Sequence, residues 1–137
     1  MVMPNLSTPV ATTKQAQMYL EQIRKVTPPN SSDFRPLMTL YCSDQLEIDD
    51  LSQGHSEGIV EAVKYYPAGA TTNSQAGGSA MMNYNHIFEA MAEKKIPLLV
   101  HAESTDDNID IFDREAAFLE KELSPVCERF PELKIPV

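Results

Sequence analysis

The stretch EAVKYYPAGATTNSQAGG, residues 61–78, organises the rest of the chain around it. It opens with the apolar and aromatic run AVKYY, residues 62–66, which has the length and composition of a β-strand. Pro67 ends this run, and a loop of small and hydroxyl-bearing residues follows. The stretch therefore predicts a strand that carries Lys64 near its carboxyl end and leads into a glycine-containing loop.

The segments on both sides alternate between strand and helix patterns. Apolar runs typical of strands occupy residues 2–3, 36–42, 59–66, 96–101 and 134–137. Apolar residues at helical spacing predict three helices, over residues 14–26, 84–95 and 110–123. Asp50 and Gln53 resemble a capping box that starts a further short helix. Because strands joined by helical crossovers run parallel, this order predicts an α/β fold with a parallel sheet.

Two architectures fit this order of elements. One is an open doubly wound sheet, and the other is part of an eight-stranded (β/α) barrel, which needs about 250 residues in full. In both architectures ligands bind at the carboxyl ends of the strands. Asn5, Lys64 and His101 all follow or end predicted strands, so we expect them on one edge of the sheet.

The composition narrows the classes of partner. The 137 residues carry a net charge of -9 and are 42% hydrophobic, which favours a packed domain and argues against nucleic acid or an anionic membrane as a partner. No apolar run reaches the roughly 18 residues of a membrane helix, and the first residues lack the pattern of a signal peptide. Two cysteines without paired spacing are typical of reduced thiols in a cytoplasmic protein.

Lys64 and His101 are the candidate reactive side chains. Lys64 is a surface charge at a strand end, an amine nucleophile, or a carbamate that bridges two metal ions. His101 is a buried, hydrogen-bonded imidazole, a metal ligand or a proton-transfer group, and Glu103 is placed to orient it. A zinc site needs three or four ligands, and the sequence contains neither HxH nor HExxH.

The loop at residues 68–78 has two interpretations. It is a flexible surface segment, or it is a lid whose glycines permit movement and whose Thr71 and Thr72 hydroxyls bond an anionic or amide ligand. It contains neither the GxxxxGK[ST] nor the GxGxxG pattern, so phosphate binding is not favoured.

Five segments together resemble a known enzyme family. They are MPNLSTPVATT at residues 3–13, PLMTLYCSD at 36–44, VKYYPAGATTNS at 63–74, IPLLVHAE at 96–103 and IDIFDREAAFLEKEL at 109–123. With the spacing between them, they make the chain similar to the dihydroorotases over essentially its whole length, in particular to the shorter, zinc-dependent class. The KYYPAGATTNS and IDIFDREA motifs are the most specific part of the resemblance.

The resemblance implies a (β/α)8 TIM barrel of the metal-dependent amidohydrolase type. It implies a hydrolase that interconverts N-carbamoyl-L-aspartate and L-dihydroorotate in pyrimidine biosynthesis. In the implied site Lys64 is carboxylated and bridges two zinc ions. His101 ligates one of these ions and lies beside the substrate.

The resemblance also implies which residues hold the substrate. Asn5 matches an asparagine that binds the substrate carboxylate. Thr71 and Thr72 match hydroxyls on a mobile loop that closes over the substrate, and Tyr66 matches a tyrosine with a supporting role. A homodimer is a candidate assembly of the full-length enzyme, and the sequence leaves the oligomeric state open.

Other parts of the family pattern lie outside this sequence. The resemblance places an HxH pair and a substrate-binding arginine before Met1, and a further histidine ligand and the catalytic aspartate after Val137. We therefore expect residues 1–137 to form one partial dihydroorotase-like domain, about half a barrel, truncated at both ends and inactive by itself. Two ligands are too few for a zinc pair, so we do not expect the chain alone to hold the zinc ions.

Two other hypotheses stay open. In one, the chain is a non-catalytic binding or assembly module whose unpaired strand edges pair with another chain. In the other, it belongs to a related cyclic amidase with a different substrate.

Overall fold

Three parallel strands form the sheet of this protein. The computed structural model describes residues 1–31, 33–78 and 80–137. Within them the sheet order follows the chain order, β1 Met38–Tyr41, β2 Val60–Tyr65 and β3 Leu98–Val100. Both strand pairs are parallel, and helices separate the strands along the chain. The predicted α/β class with a parallel sheet is confirmed.

Short segments extend the sheet at both edges. Val2 forms an isolated parallel bridge with Met38 next to β1. On the opposite edge, backbone N–H groups of β3 donate to the carbonyls of Lys134 and Pro136. The two terminal strands predicted from the sequence are therefore present only as these contacts, and not as full strands.

Helices follow the strands in the described part of the chain. They are α1 Thr13–Val26, α2 Ile48–Ser56, α3 Asn85–Lys94, α4 Arg114–Phe118 and α5 Ser124–Arg129. Short 3-10 turns, Met81–Tyr84 and Ile111–Asp113, precede α3 and α4, and the π-turn Leu119–Leu123 joins α4 to α5. The last predicted helix thus continues to Arg129, because Pro125 lies in the first turn of α5, where its missing N–H costs little. Among the described residues no helix is long and apolar enough to cross a membrane.

Two helix starts show how local and tertiary signals differ. Helix α1 begins with a capping box, in which Thr12 and Gln15 bond each other's backbone N–H groups. The predicted capping box of α2 is wrong, because α2 begins at Ile48 and has no side-chain cap. The Asp50 carboxylate instead accepts a hydrogen bond from the backbone N–H of Thr13 at 2.7 Å, which ties α2 to the start of α1.

The helices pack on one face of the sheet. Strand residues such as Leu40, Val63 and Leu98 are fully buried there, in one apolar cluster with Leu51 of α2 and Phe88 of α3. Because side chains alternate along a strand, the neighbouring positions point to the opposite face.

Candidate functional site

The face away from the helices carries Lys64 and the residues that follow it. Lys64 of β2 stands in register between Tyr41 of β1 and Leu99 of β3. Tyr66 is two positions further along and therefore shares this face. His101 follows β3, and its backbone N–H donates to the carbonyl of Tyr65 at 3.0 Å. The structure thus places Lys64, Tyr66 and His101 together at the carboxyl ends of neighbouring strands.

Tyr66 is the contact shared by the predicted site residues. Its ring centroid is 5.9 Å from that of His101, and the Lys64 ammonium lies 5.0 Å from it. Its hydroxyl donates a 3.0 Å hydrogen bond to Oδ1 of Asn5. The centroid of the Tyr41 ring lies 5.4 Å from that of Tyr66. Tyr66 is buried, and it contacts each of Asn5, Lys64 and His101.

Burial changes the chemistry of Lys64. The side chain is partly buried, and the loss of hydration lowers the pKa of its amine below the usual value. A lower pKa raises the fraction of neutral amine, and the neutral amine is the form that can add carbon dioxide to give a carbamate. This environment argues against a freely solvated surface charge at Lys64. It suits either an amine nucleophile or a carbamate.

A carboxylate orients His101. The imidazole Nε2 lies 3.1 Å from Oε2 of Glu103, and Oε1 of the same carboxylate lies 3.8 Å from Nη1 of Arg114. A histidine that bonds a carboxylate through one ring nitrogen presents the other nitrogen as a ligand or base. Sequence reasoning named Glu103 as a candidate for this contact and missed Arg114, although Arg114 lies inside the specific IDIFDREA motif.

The loop after β2 is attached to Asn5. The Asn5 side-chain Nδ2 donates to the carbonyl of Thr72 at 2.9 Å, and Nδ2 of Asn73 donates to the backbone carbonyl of Asn5 at 3.1 Å. The Thr71 and Thr72 hydroxyls make no hydrogen bond to any residue the structure describes, so they are available to a ligand. Sequence reasoning missed Asn73, whose φ of 55° is a left-handed conformation that asparagine tolerates.

The base of this loop is closed by backbone hydrogen bonds. The N–H of Gly78 donates to the carbonyl of Tyr66, and the N–H of Ala68 donates to the carbonyl of Gly78. A Cβ atom at Gly77 would lie 2.6 Å from the carbonyl oxygen of Tyr66, and one at Gly78 would lie 2.4 Å from the Tyr65 ring. Glycine is therefore required here for close packing.

The described residues do not by themselves fit a zinc centre. Within residues 1–31, 33–78 and 80–137, no three His, Cys, Asp or Glu side chains converge. Lys64 and His101 supply two donors, and a catalytic zinc takes about three protein ligands plus water. Further ligands would have to come from other sequence.

The chain is closely similar to proteins of one family. It is 48% identical to the dihydroorotases of Roseobacter denitrificans and of a Synechococcus species, over 134 residues and 98% of its own length. The chain is a homologue of the dihydroorotases. It spans only 38–39% of the length of these relatives. No family model matches the chain.

Solved dihydroorotases also share the fold. The Saccharomyces cerevisiae enzyme, crystallised with 5-fluoroorotic acid, superposes with a TM-score of 0.85 at 33% identity, and the match covers 97% of this chain and 37% of that one. The Campylobacter jejuni dihydroorotase gives a TM-score of 0.83 at 34% identity, with the same coverage of both chains. These likenesses decide between the two predicted architectures, because the parallel strands correspond to part of the amidohydrolase (β/α) barrel.

Proposed function

We propose that this dihydroorotase homologue forms part of an enzyme that interconverts N-carbamoyl-L-aspartate and L-dihydroorotate in the cytoplasm. The observation that supports it is the grouping of Lys64, His101 and Asn5 around the buried Tyr66. Ligand sites of (β/α) barrels lie at this end of the strands. Residues 1–137 would then be one partial domain, and the remaining barrel strands would come from further sequence.

Lys64 and His101 are proposed as two ligands of a zinc centre. Burial of Lys64 favours its neutral amine, which can add carbon dioxide to form an anionic carbamate and release a proton. A carbamate has two oxygens, so it can bridge two metal ions. Glu103 holds the imidazole of His101 through Nε2 and leaves Nδ1 as the nitrogen that would bind a zinc ion.

Asn5 and the loop are proposed to hold the substrate. The Asn5 Nδ2 group and the free hydroxyls of Thr71 and Thr72 are donors at the same end of the sheet. Hydrogen-bond donors of this kind suit a carboxylate group. The yeast relative was solved with 5-fluoroorotic acid, which carries a ring carboxylate, and this supports a carboxylate-bearing pyrimidine precursor as the ligand.

A chimera tests the proposal. Residues 1–137 would replace the matching segment of the Roseobacter denitrificans dihydroorotase, and the zinc-loaded chimera would be assayed for hydrolysis of dihydroorotate. We expect turnover within about tenfold of the parent enzyme, and a loss of roughly a hundredfold or more in the His101→Ala chimera. A chimera that is folded and zinc-loaded yet shows no turnover would overturn the proposal.

A further inference from the structure

We propose that Tyr66 is a positioning residue that holds the Asn5 amide in one orientation, so that a single amide nitrogen serves both the loop and a ligand carboxylate. Two hydrogen bonds fix the orientation of this amide. Asn5 accepts from the Tyr66 hydroxyl through Oδ1 and donates to the Thr72 carbonyl through Nδ2. A carbonyl oxygen can only accept, so the amide nitrogen must face Thr72 and the amide oxygen must face Tyr66.

One N–H group of the Asn5 amide remains for a ligand. An asparagine Nδ2 carries two N–H groups, and the Thr72 carbonyl takes one of them. The second N–H has no partner among the residues that the structure describes, and the Asn5 side chain is only partly buried. A carboxylate is, like the carbonyl, a pure acceptor. It can therefore bind the second N–H without turning the amide, and loop and ligand then share one side chain.

The Tyr66 hydroxyl holds this orientation by donating to Oδ1 of Asn5. Without it, Oδ1 loses its donor in a partly buried position, and nothing opposes rotation of the amide once the loop moves. The ring of Tyr66 would still contact Lys64 and His101, so those contacts do not depend on the hydroxyl. The loop would keep its second tie, from Asn73 to the Asn5 carbonyl. Loss of the hydroxyl should therefore loosen the loop and weaken ligand binding without dismantling the site.

The chain offers a matched control. Tyr41 packs against Tyr66 at 5.4 Å and is also fully buried, but its hydroxyl has no hydrogen-bond partner among the described residues. Tyr41→Phe and Tyr66→Phe remove the same atom from two neighbouring rings. Only the second change removes a contact to Asn5.

The test uses the chimera described above and rests on the proposed function for its ligand, N-carbamoyl-L-aspartate. We expect Tyr66→Phe to raise KM roughly tenfold and to leave kcat within about twofold, whereas Tyr41→Phe leaves both unchanged. In an Asn5→Ala background, Tyr66→Phe should give no further increase in KM, because its effect passes through Asn5. An equal increase in that background, an equal effect of Tyr41→Phe, or an unchanged KM in Tyr66→Phe would overturn the inference.

A second readout separates this inference from the proposed function. Amide hydrogen exchange of residues 69–76 in the ligand-free chimera needs no turnover. We expect faster exchange in Tyr66→Phe than in the unsubstituted chimera, and no change in Tyr41→Phe. Faster exchange in Tyr66→Phe without turnover in any chimera would support the positioning of Asn5 by Tyr66 and reject the proposed function. Normal turnover with unchanged exchange in Tyr66→Phe would support the proposed function and reject the positioning of Asn5 by Tyr66.

Discussion

The two faces of the sheet differ in how much of their structure comes from this chain. The face toward the helices is packed by buried residues such as Leu40, Val63 and Leu98. The opposite face carries Lys64 and His101, and the described residues add no third ligand to them. A core beside each strand is built by the helices that follow it in sequence, whereas a barrel site collects side chains from the ends of many strands. A segment that forms part of a barrel can therefore pack its own core without containing all the residues of the site.

The largest expected effect is on the site face. Lys64→Ala in the chimera removes the proposed bridging ligand, so we expect turnover to fall by roughly a thousandfold or more. Stability should be kept, because the substitution removes a half-buried cation whose charged form is disfavoured by burial. Steady-state kinetics and thermal unfolding check the two expectations. Lys94→Ala is the control. Lys94 is the last residue of helix α3 and is not one of the proposed site residues, so this variant should retain activity. Retained turnover in Lys64→Ala would show that this face does not act as proposed.

The next effect is on the helix face. Phe88 is fully buried between Tyr84 and Phe130, and Phe88→Ala should lower the free energy of unfolding by about 3–5 kcal/mol. Phe112→Ala is the matched control, since Phe112 is 93% exposed and its loss should change stability by less than about 0.5 kcal/mol. Urea unfolding of both variants measures the difference. Equal losses would mean that the helix face is not a packed core in this chain.

A smaller effect is expected at the base of the loop. Gly77→Ala places a methyl group against three backbone atoms, of Tyr66, Ser74 and Ala68, none of which can move aside as a flexible side chain would. We expect a loss of about 1–3 kcal/mol and faster hydrogen exchange in residues 69–76. The exposed neighbour Ala76→Ser serves as control. An unperturbed loop in Gly77→Ala would contradict the close packing described for its base.

The smallest effect is a pH dependence of stability at Tyr41, which pairs with Lys64 on the site face. Burial, and secondarily the neighbouring Tyr66, raises the pKa of Tyr41 from 10.0 to about 12. Because the folded state keeps the Tyr41 proton longer than the unfolded state does, the contribution of the neutral hydroxyl to the free energy of unfolding is complete below pH 10.0. This contribution is lost as the pH rises toward about 12. The free energy of unfolding should therefore decline over this interval, and less steeply in Tyr41→Phe. Identical slopes in the two proteins would refute the assignment.

The sequence predicted more of the helix face than of the site face. Apolar spacing located α1, α3 and the strands, because that signal is local. The capping-box pattern of Asp50 and Gln53 misplaced the start of α2, because Asp50 bonds Thr13 across a tertiary contact that no local pattern encodes. The grouping of Lys64 with His101 followed from the strand order. The role of Asn73 and the shared contacts of Tyr66 depend on the loop folding back onto Asn5, over a separation of more than sixty residues.

The incomplete site face is tested most directly by the isolated 137-residue chain. It would be assayed for dihydroorotate hydrolysis with added zinc, beside the chimera at equal concentration. We expect turnover by the chimera alone, because the isolated chain contributes two zinc-binding side chains where a catalytic zinc takes about three. Zinc-dependent turnover by the isolated chain, above that of its Lys64→Ala variant, would contradict this expectation.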